Sequence, residues 1–167
     1  MEDRAHPLRT VDGLIATWFG IGLIPIAPGT WGSLAAVIVG AAIVSTVGTG
    51  LVLLPLAAAF FVIGARASER YAARLHSEDP ASVVIDEVVG QWLVLAFLPP
   101  DLLFYVFGFL LFRVFDIFKP WPVSWAEDRF SGGWGIMADD VIAALYALLA
   151  FAAAAFLMAT AGAGWGT

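Results

Sequence analysis

The chain has 167 residues, 61% of them hydrophobic, and a formal net charge of −6, with a mean hydropathy of +0.90. Soluble domains carry about 45–50% apolar residues, and one core in so short a chain cannot hide the excess, so lipid has to cover the remainder. The acidic balance, with no basic tail or aromatic-basic patch, excludes nucleic acid as a partner, and the lack of cysteine excludes disulfides, thiolate metal sites and cysteine nucleophiles.

The polar N-terminus holds Arg4 and Arg9. No short apolar run with a small-residue cleavage site follows it, so a removed signal peptide is not expected. Residues 14–23 are apolar with interspersed glycines, which fits a short interfacial or re-entrant helix. The stretch from Pro25 to Thr30 is a rigid break, and Thr30 is a suitable N-cap for the apolar run 31–47. A turn at 45–50 leads to a second apolar run, 51–65. The polar stretch 66–79 follows. Asp79-Pro80 then reads as an N-cap with proline at the first helical position, opening a run to Leu98 that Asp86 and Glu87 interrupt. Pro99-Pro100-Asp101 is a tight turn before the run 102–118, which ends at Lys119-Pro120-Trp121-Pro122 because proline cannot continue a helix. A polar loop reaches Gly135, and Asp139 or Asp140 caps the last run, 141–161.

The expected fold is therefore all-α. It is a polytopic membrane helical bundle of about four to five membrane-embedded helices with short loops, residues 1–167 forming a single domain. Several runs fall short of the ~20 residues of a full span, so some helices extend into the interfaces or are buried in protein.

Charge orients the bundle. With the N-terminus inside and five crossings, Arg4, Arg9, Arg66, Arg70, Arg74, Lys119 and Arg129 all fall on the cytoplasmic side, with Arg113 near the inner end of its helix. The two outer turns hold no Lys or Arg, as the positive-inside rule requires. The same orientation puts Asp86, Glu87, Asp116, Asp139 and Asp140 near the inner surface and Asp101 outside. Tryptophans such as Trp121 and Trp125 suit interface anchors. Arg66, Arg70 and Arg74 recur every four residues as one helical stripe, read as a solvated or headgroup-facing edge. His6 and His76 lie apart with no nearby motif and are not taken as ligands.

Four stretches are candidates for chemistry. Asp86-Glu87 lies almost two turns into a helix begun at Pro80, about 10 Å along it, where adjacent carboxylates are costly unless paired or bound to a cation. Arg113, Asp116 and Lys119 are spaced by three residues, which puts Arg113 and Asp116 on one helix face. They form either a local ion pair or a carboxylate ligand with cations for an anionic group. Residues 132–140 are a glycine-rich loop ending in Asp139-Asp140, which serve either as helix-start charges or as further ligands. Thr30 and Ser33 sit at a helix start where free N–H groups suit a phosphate, though capping alone explains them equally. Oxygen-only ligands point to a hard cation such as Mg²⁺. Cations beside a metal suit a phosphate, and headgroup depth points to a phospholipid. The competing reading is a cation- or proton-coupled small membrane transporter, since intramembrane acids are typical of those as well.

Residues 26–35 (Ile-Ala-Pro-Gly-Thr-Trp-Gly-Ser-Leu-Ala), 84–90 (Val-Ile-Asp-Glu-Val-Val-Gly), 112–122 (Phe-Arg-Val-Phe-Asp-Ile-Phe-Lys-Pro-Trp-Pro) and 132–140 (Gly-Gly-Trp-Gly-Ile-Met-Ala-Asp-Asp) resemble, in this order, the phosphatidylglycerophosphatase A family. The resemblance implies Mg²⁺-dependent removal of the terminal phosphate of phosphatidylglycerophosphate, giving phosphatidylglycerol and inorganic phosphate, in the bacterial inner membrane. On that basis Asp86, Glu87, Asp116, Asp139 and Asp140 are the expected catalytic and metal residues. Thr30, Ser33, Arg113 and Lys119 are the expected substrate-binding residues.

Overall fold

The computed structural model describes residues 7–121 and 132–163. These contain six α-helices and no strand: α1 (Val11–Ala16), α2 (Pro28–Val47), α3 (Leu53–Leu75), α4 (Ile85–Phe97), α5 (Leu102–Phe118) and α6 (Gly132–Ala163). His6, Trp125 and Arg129 lie outside the described residues. The all-helical membrane bundle is as expected. Three helical segments are long and apolar enough to cross a bilayer, Pro28–Val47, Gly50–Leu75 and Gly132–Ala161, slightly fewer than the four to five anticipated. The difference lies in α4 and α5, of 13 and 17 residues, which rise only about 20 and 25 Å.

α4 is the axis of the fold. It packs against α2, α3, α5 and α6, and Ile85, Val88, Val89, Trp92, Val94, Leu95 and Ala96 are all buried. A helix apolar on every side is stable only inside a bundle. Small residues let its neighbours come close. Gly32 and Gly40 of α2 lie against Val84, Trp92 and Leu95, and Gly108 of α5 against Val94 and Leu98. Trp92 donates its indole N–H to the Ala36 carbonyl at 3.0 Å and meets Trp18 and Phe60 edge-on. The outer faces are apolar, as lipid contact requires: Leu110, Val114 and Ile117 of α5 and Leu149, Phe156 and Leu157 of α6 are exposed.

Four helix boundaries differ from the sequence reading. α2 begins at Pro28, after Ala27 in the left-handed region at φ 50°, so Thr30 lies inside the first turn and caps nothing. Proline supplies the first-turn φ that replaces the cap. α3 runs on through the arginine stripe to Leu75, because Ala65, Ala67, Ser68, Tyr71 and Ala72 are buried while Arg66, Glu69 and Arg70 face outward. Arg74 and Arg70 pair with Asp12 at 2.7 and 3.5 Å and fasten α1 to α3. Asp79-Pro80 does not open α4. That segment turns back instead, with Val83 N–H on the Pro80 carbonyl and Val84 N–H on the Ala16 carbonyl. Asp86 and Glu87 thus stand in the first turn of α4. Last, α6 starts at Gly132, so Asp139 and Asp140 are interior helix residues rather than caps. Ile136 and Met137 hold this added segment in the core, with Met137 beside Gly64 of α3.

These boundaries bring the starts of α2, α4 and α6 and the ends of α3 and α5 to one end of the bundle. Asp101 caps α5 at the other end by accepting the Leu103 N–H at 2.8 Å.

Candidate active site

At the charged end a cleft of about 350 Å³ opens between the α2 start, the turn before α4, the α4 start, the α5 end and α6. Asp86, Glu87, Arg113, Asp116, Lys119, Asp139 and Asp140 all line it. Three segments far apart in sequence supply them, the α4 start, the α5 end and α6. The tether from Val84 to Ala16 sets where α4 begins and so aims its first-turn acids. Lys119 ends α5 at φ 42°, a left-handed residue that swings its side chain back over the cleft. Phe112, fully buried against Gly90, fixes α5 so that Arg113 and Asp116 face α4.

The five acids fall into two groups. Asp116 and Asp139 are committed to cations. Arg113 donates from Nη1 to Asp116 Oδ2 at 2.5 Å, and Lys119 donates from Nζ to Asp139 Oδ2 at 2.8 Å. The other Asp139 oxygen accepts the Asp140 backbone N–H at 3.0 Å. Asp86, Glu87 and Asp140 differ. Each offers one carboxylate oxygen to a group in which all three lie within 4.8 Å of one another, and each has a buried oxygen with no hydrogen-bond partner: Asp86 Oδ1, Glu87 Oε2 and Asp140 Oδ2.

Arg113 joins the two groups. Its Nη1 also donates to Ser33 Oγ at 3.3 Å and lies 3.7 Å from Glu87 Oε1. Ser33 is fully buried and donates to the Gly29 carbonyl at 2.9 Å, so it steadies Arg113 from behind rather than facing the cleft. Thr30 does not line the cleft. Of the nine residues expected at the site, these two are therefore the ones outside its walls.

Among the lining residues that the sequence reading did not place at the site, Gly29 and Asp79 matter most to its shape and charge. Gly29 lies so close that a Cβ there would overlap Glu87 Oε1; the Pro-Gly-Thr-Trp-Gly-Ser stretch flagged the segment without singling out this residue. Asp79 lines the rim, having been read as a helix cap.

The donor set fits a hard divalent cation. Five carboxylates face two cations across a partly buried cleft, and like charges at such distances are held together only by a counter-ion or protons. Ligands about 2.1 Å from an octahedral Mg²⁺ stand about 3–4 Å from one another, so one oxygen from each of Asp86, Glu87 and Asp140 needs only a small inward movement. All are carboxylates, the donors that suit Mg²⁺ rather than soft metals.

Comparison with known proteins gives a consistent family. The family model for phosphatidylglycerophosphatase A matches residues 14–155. A Haemophilus influenzae protein named phosphatidylglycerophosphatase A is 42% identical over 137 residues, covering 81% of this chain and 83% of that protein. The Escherichia coli K12 protein of the same name is 37% identical over 137 residues, with 78% and 75% covered. A Bacteroides thetaiotaomicron protein named "Putative phosphatidylinositol-3-phosphatase" is 40% identical over 151 residues, with 87% and 94% covered. No solved structure matches the chain. With the family model covering every residue that lines the cleft, the chain belongs to the phosphatidylglycerophosphatase A family of phosphatases.

Proposed function

We infer that this protein is a Mg²⁺-dependent lipid phosphatase that removes the terminal phosphate of phosphatidylglycerophosphate at the cytoplasmic face of the bacterial inner membrane, yielding phosphatidylglycerol and inorganic phosphate. The observation that carries this reading is the trio of unpartnered oxygens on Asp86, Glu87 and Asp140 beside Arg113 and Lys119, at the charged end of a membrane bundle. The names of the relatives support a phosphomonoester on a lipid headgroup as the target. The arginine-rich, positive-inside pattern supports the cytoplasmic placement.

In this reading Asp86, Glu87 and Asp140 hold Mg²⁺. Bound there, the ion supplies charge neutralisation and Lewis-acid polarisation at the phosphoryl group. Arg113 and Lys119 bind the phosphate oxygens and offset the charge that develops on them. Asp116 and Asp139 hold those two cations in position, and Ser33 restrains Arg113 from the α2 side. Exposed Ile117, which also lines the cleft, leaves an apolar edge beside which the acyl chains stay in the bilayer while the headgroup enters. The transporter alternative gains nothing from the family comparison, and the cleft acids gather at one end of the bundle instead of marking a path through it.

The deciding experiment measures phosphate release by purified protein from phosphatidylglycerophosphate and, in parallel, from phosphatidylinositol 3-phosphate, after EDTA treatment and after restoring Mg²⁺. Metal-restored activity on the first lipid is expected. Full activity in thoroughly chelated protein would remove the metal from the reading, and preference for the inositol lipid would replace the substrate.

A further inference from the structure

Gln91 of α4 is fully buried, and both polar atoms of its side chain, Oε1 and Nε2, lack a hydrogen-bond partner. A buried amide left unsatisfied is destabilising, and such groups in native proteins call for an explanation, often functional or an ordered water. The neighbours on α4 do not use it. Trp92 turns toward α2 and α3, while Gly90 meets Phe112 of α5 and the Asp140 carbonyl of α6.

The position of Gln91 on the helix gives the explanation. It stands four residues after Glu87, so the two side chains are stacked neighbours on one face. That face looks toward the junction of α2 and α5, where Glu87 meets Gly29 and Arg113. Two further buried atoms without partners belong to the same junction: the acceptor Glu87 Oε2 and the donor Arg113 Nε–H. A carboxamide complements both at once, because its NH₂ donates to a carboxylate and its carbonyl accepts from a guanidinium. Leucine or methionine at this position fills similar space and leaves both atoms unmatched.

We propose that Gln91 is a positioning residue of the active site, linked through one water to the Glu87 carboxylate and the Arg113 Nε–H, so that the Glu87 carboxylate is held in place for the metal. The inference rests on the Mg²⁺ reading above. It adds a partner behind the ligand, of the kind whose loss lowers metal affinity about 10–100-fold.

The test is Mg²⁺ binding by calorimetry to the purified full chain in detergent, for wild type, Gln91→Leu and Gln91→Met, with thermal unfolding measured alongside. Both variants are expected to fold, with a modestly lower melting temperature, because the apolar side chain leaves the buried Glu87 Oε2 and Arg113 Nε–H unmatched. Both are expected to bind Mg²⁺ at least tenfold more weakly, and to need correspondingly more Mg²⁺ for half-maximal phosphate release. Wild-type Mg²⁺ affinity in either folded variant would overturn the inference while leaving the metal site standing. Loss of folded protein in both would show a purely structural role and overturn it as well. No Mg²⁺ binding by the wild type would defeat the metal reading itself, and this inference with it.

Discussion

Gly29→Ala isolates the geometry of the site from the stability of the fold. Gly29 lies in the first turn of α2 and is not among the residues at positive φ, so alanine accepts the backbone. In a helix that change normally stabilises by about 0.5–1 kcal/mol. Here the new methyl would overlap Glu87 Oε1 and stand 3.3 Å from Arg113 Nη1. The α2 backbone is held by Gly32 against Val84, whereas the atom overlapped is the far end of the Glu87 side chain, so the carboxylate gives way. Relieving the overlap takes a movement of about 1 Å, and a misplacement of that size costs about 100-fold in rate, equivalent to roughly 2.7 kcal/mol at the transition state. The assay is phosphate release per mole of folded, detergent-purified protein as a function of Mg²⁺ concentration, with a melting curve on the same sample. The expected result is unchanged or slightly raised thermal stability, turnover lower by about two orders of magnitude, and a higher Mg²⁺ requirement. Wild-type turnover at wild-type Mg²⁺ dependence would refute the placement of Glu87 among the metal ligands.

Asp86→Asn and Asp140→Asn should each abolish Mg²⁺-dependent turnover in folded protein, whereas Asp101→Asn, at the opposite end and still able to cap α5, should keep near-normal turnover; equal loss in all three would show that the assay reports folding. Arg113→Lys should lower turnover at least tenfold, since Nη1 alone already serves Ser33, Asp116 and Glu87 and an ammonium in its place has no further N–H for the phosphate, whereas the guanidinium has; retained activity would reduce Arg113 to a point charge. Lys119→Met should lower kcat as well as raise KM for the lipid, because it removes a cation that both binds the phosphate and offsets its developing charge; wild-type kcat and KM would take Lys119 out of the phosphate site. Single cysteines introduced at Ser77 and Ser131 of this cysteine-free chain should be labelled from the cytoplasmic side only, and periplasmic labelling would invert the orientation.

Much of this protein was legible from the residues alone. The apolar excess required a membrane, and the distribution of Lys and Arg separated a charged end from an uncharged one. The cost of carboxylates in apolar surroundings marked Asp86 and Glu87, the spacing from Arg113 marked Asp116, and a glycine-rich stretch ending in paired acids marked Asp139 and Asp140. Those inferences depend on composition and local spacing, which transfer free energies govern directly. Helix starts were less legible. Thr30, Pro80 and Asp139 each carry a sound local start signal, yet tertiary contacts set the boundaries elsewhere: the Val84–Ala16 hydrogen bond delays α4, and the packing of Ile136 and Met137 draws α6 back to Gly132. The division among the acids was beyond sequence altogether. Asp139 and Asp140 are adjacent and chemically identical, but successive helix residues point about 100° apart, so one meets Lys119 from α5 and the other meets Asp86 and Glu87 from α4. Which carboxylate is neutralised by a cation and which is left open beside Asp86 and Glu87 depends on what the neighbouring helices bring to each face, and only the assembled bundle decides that.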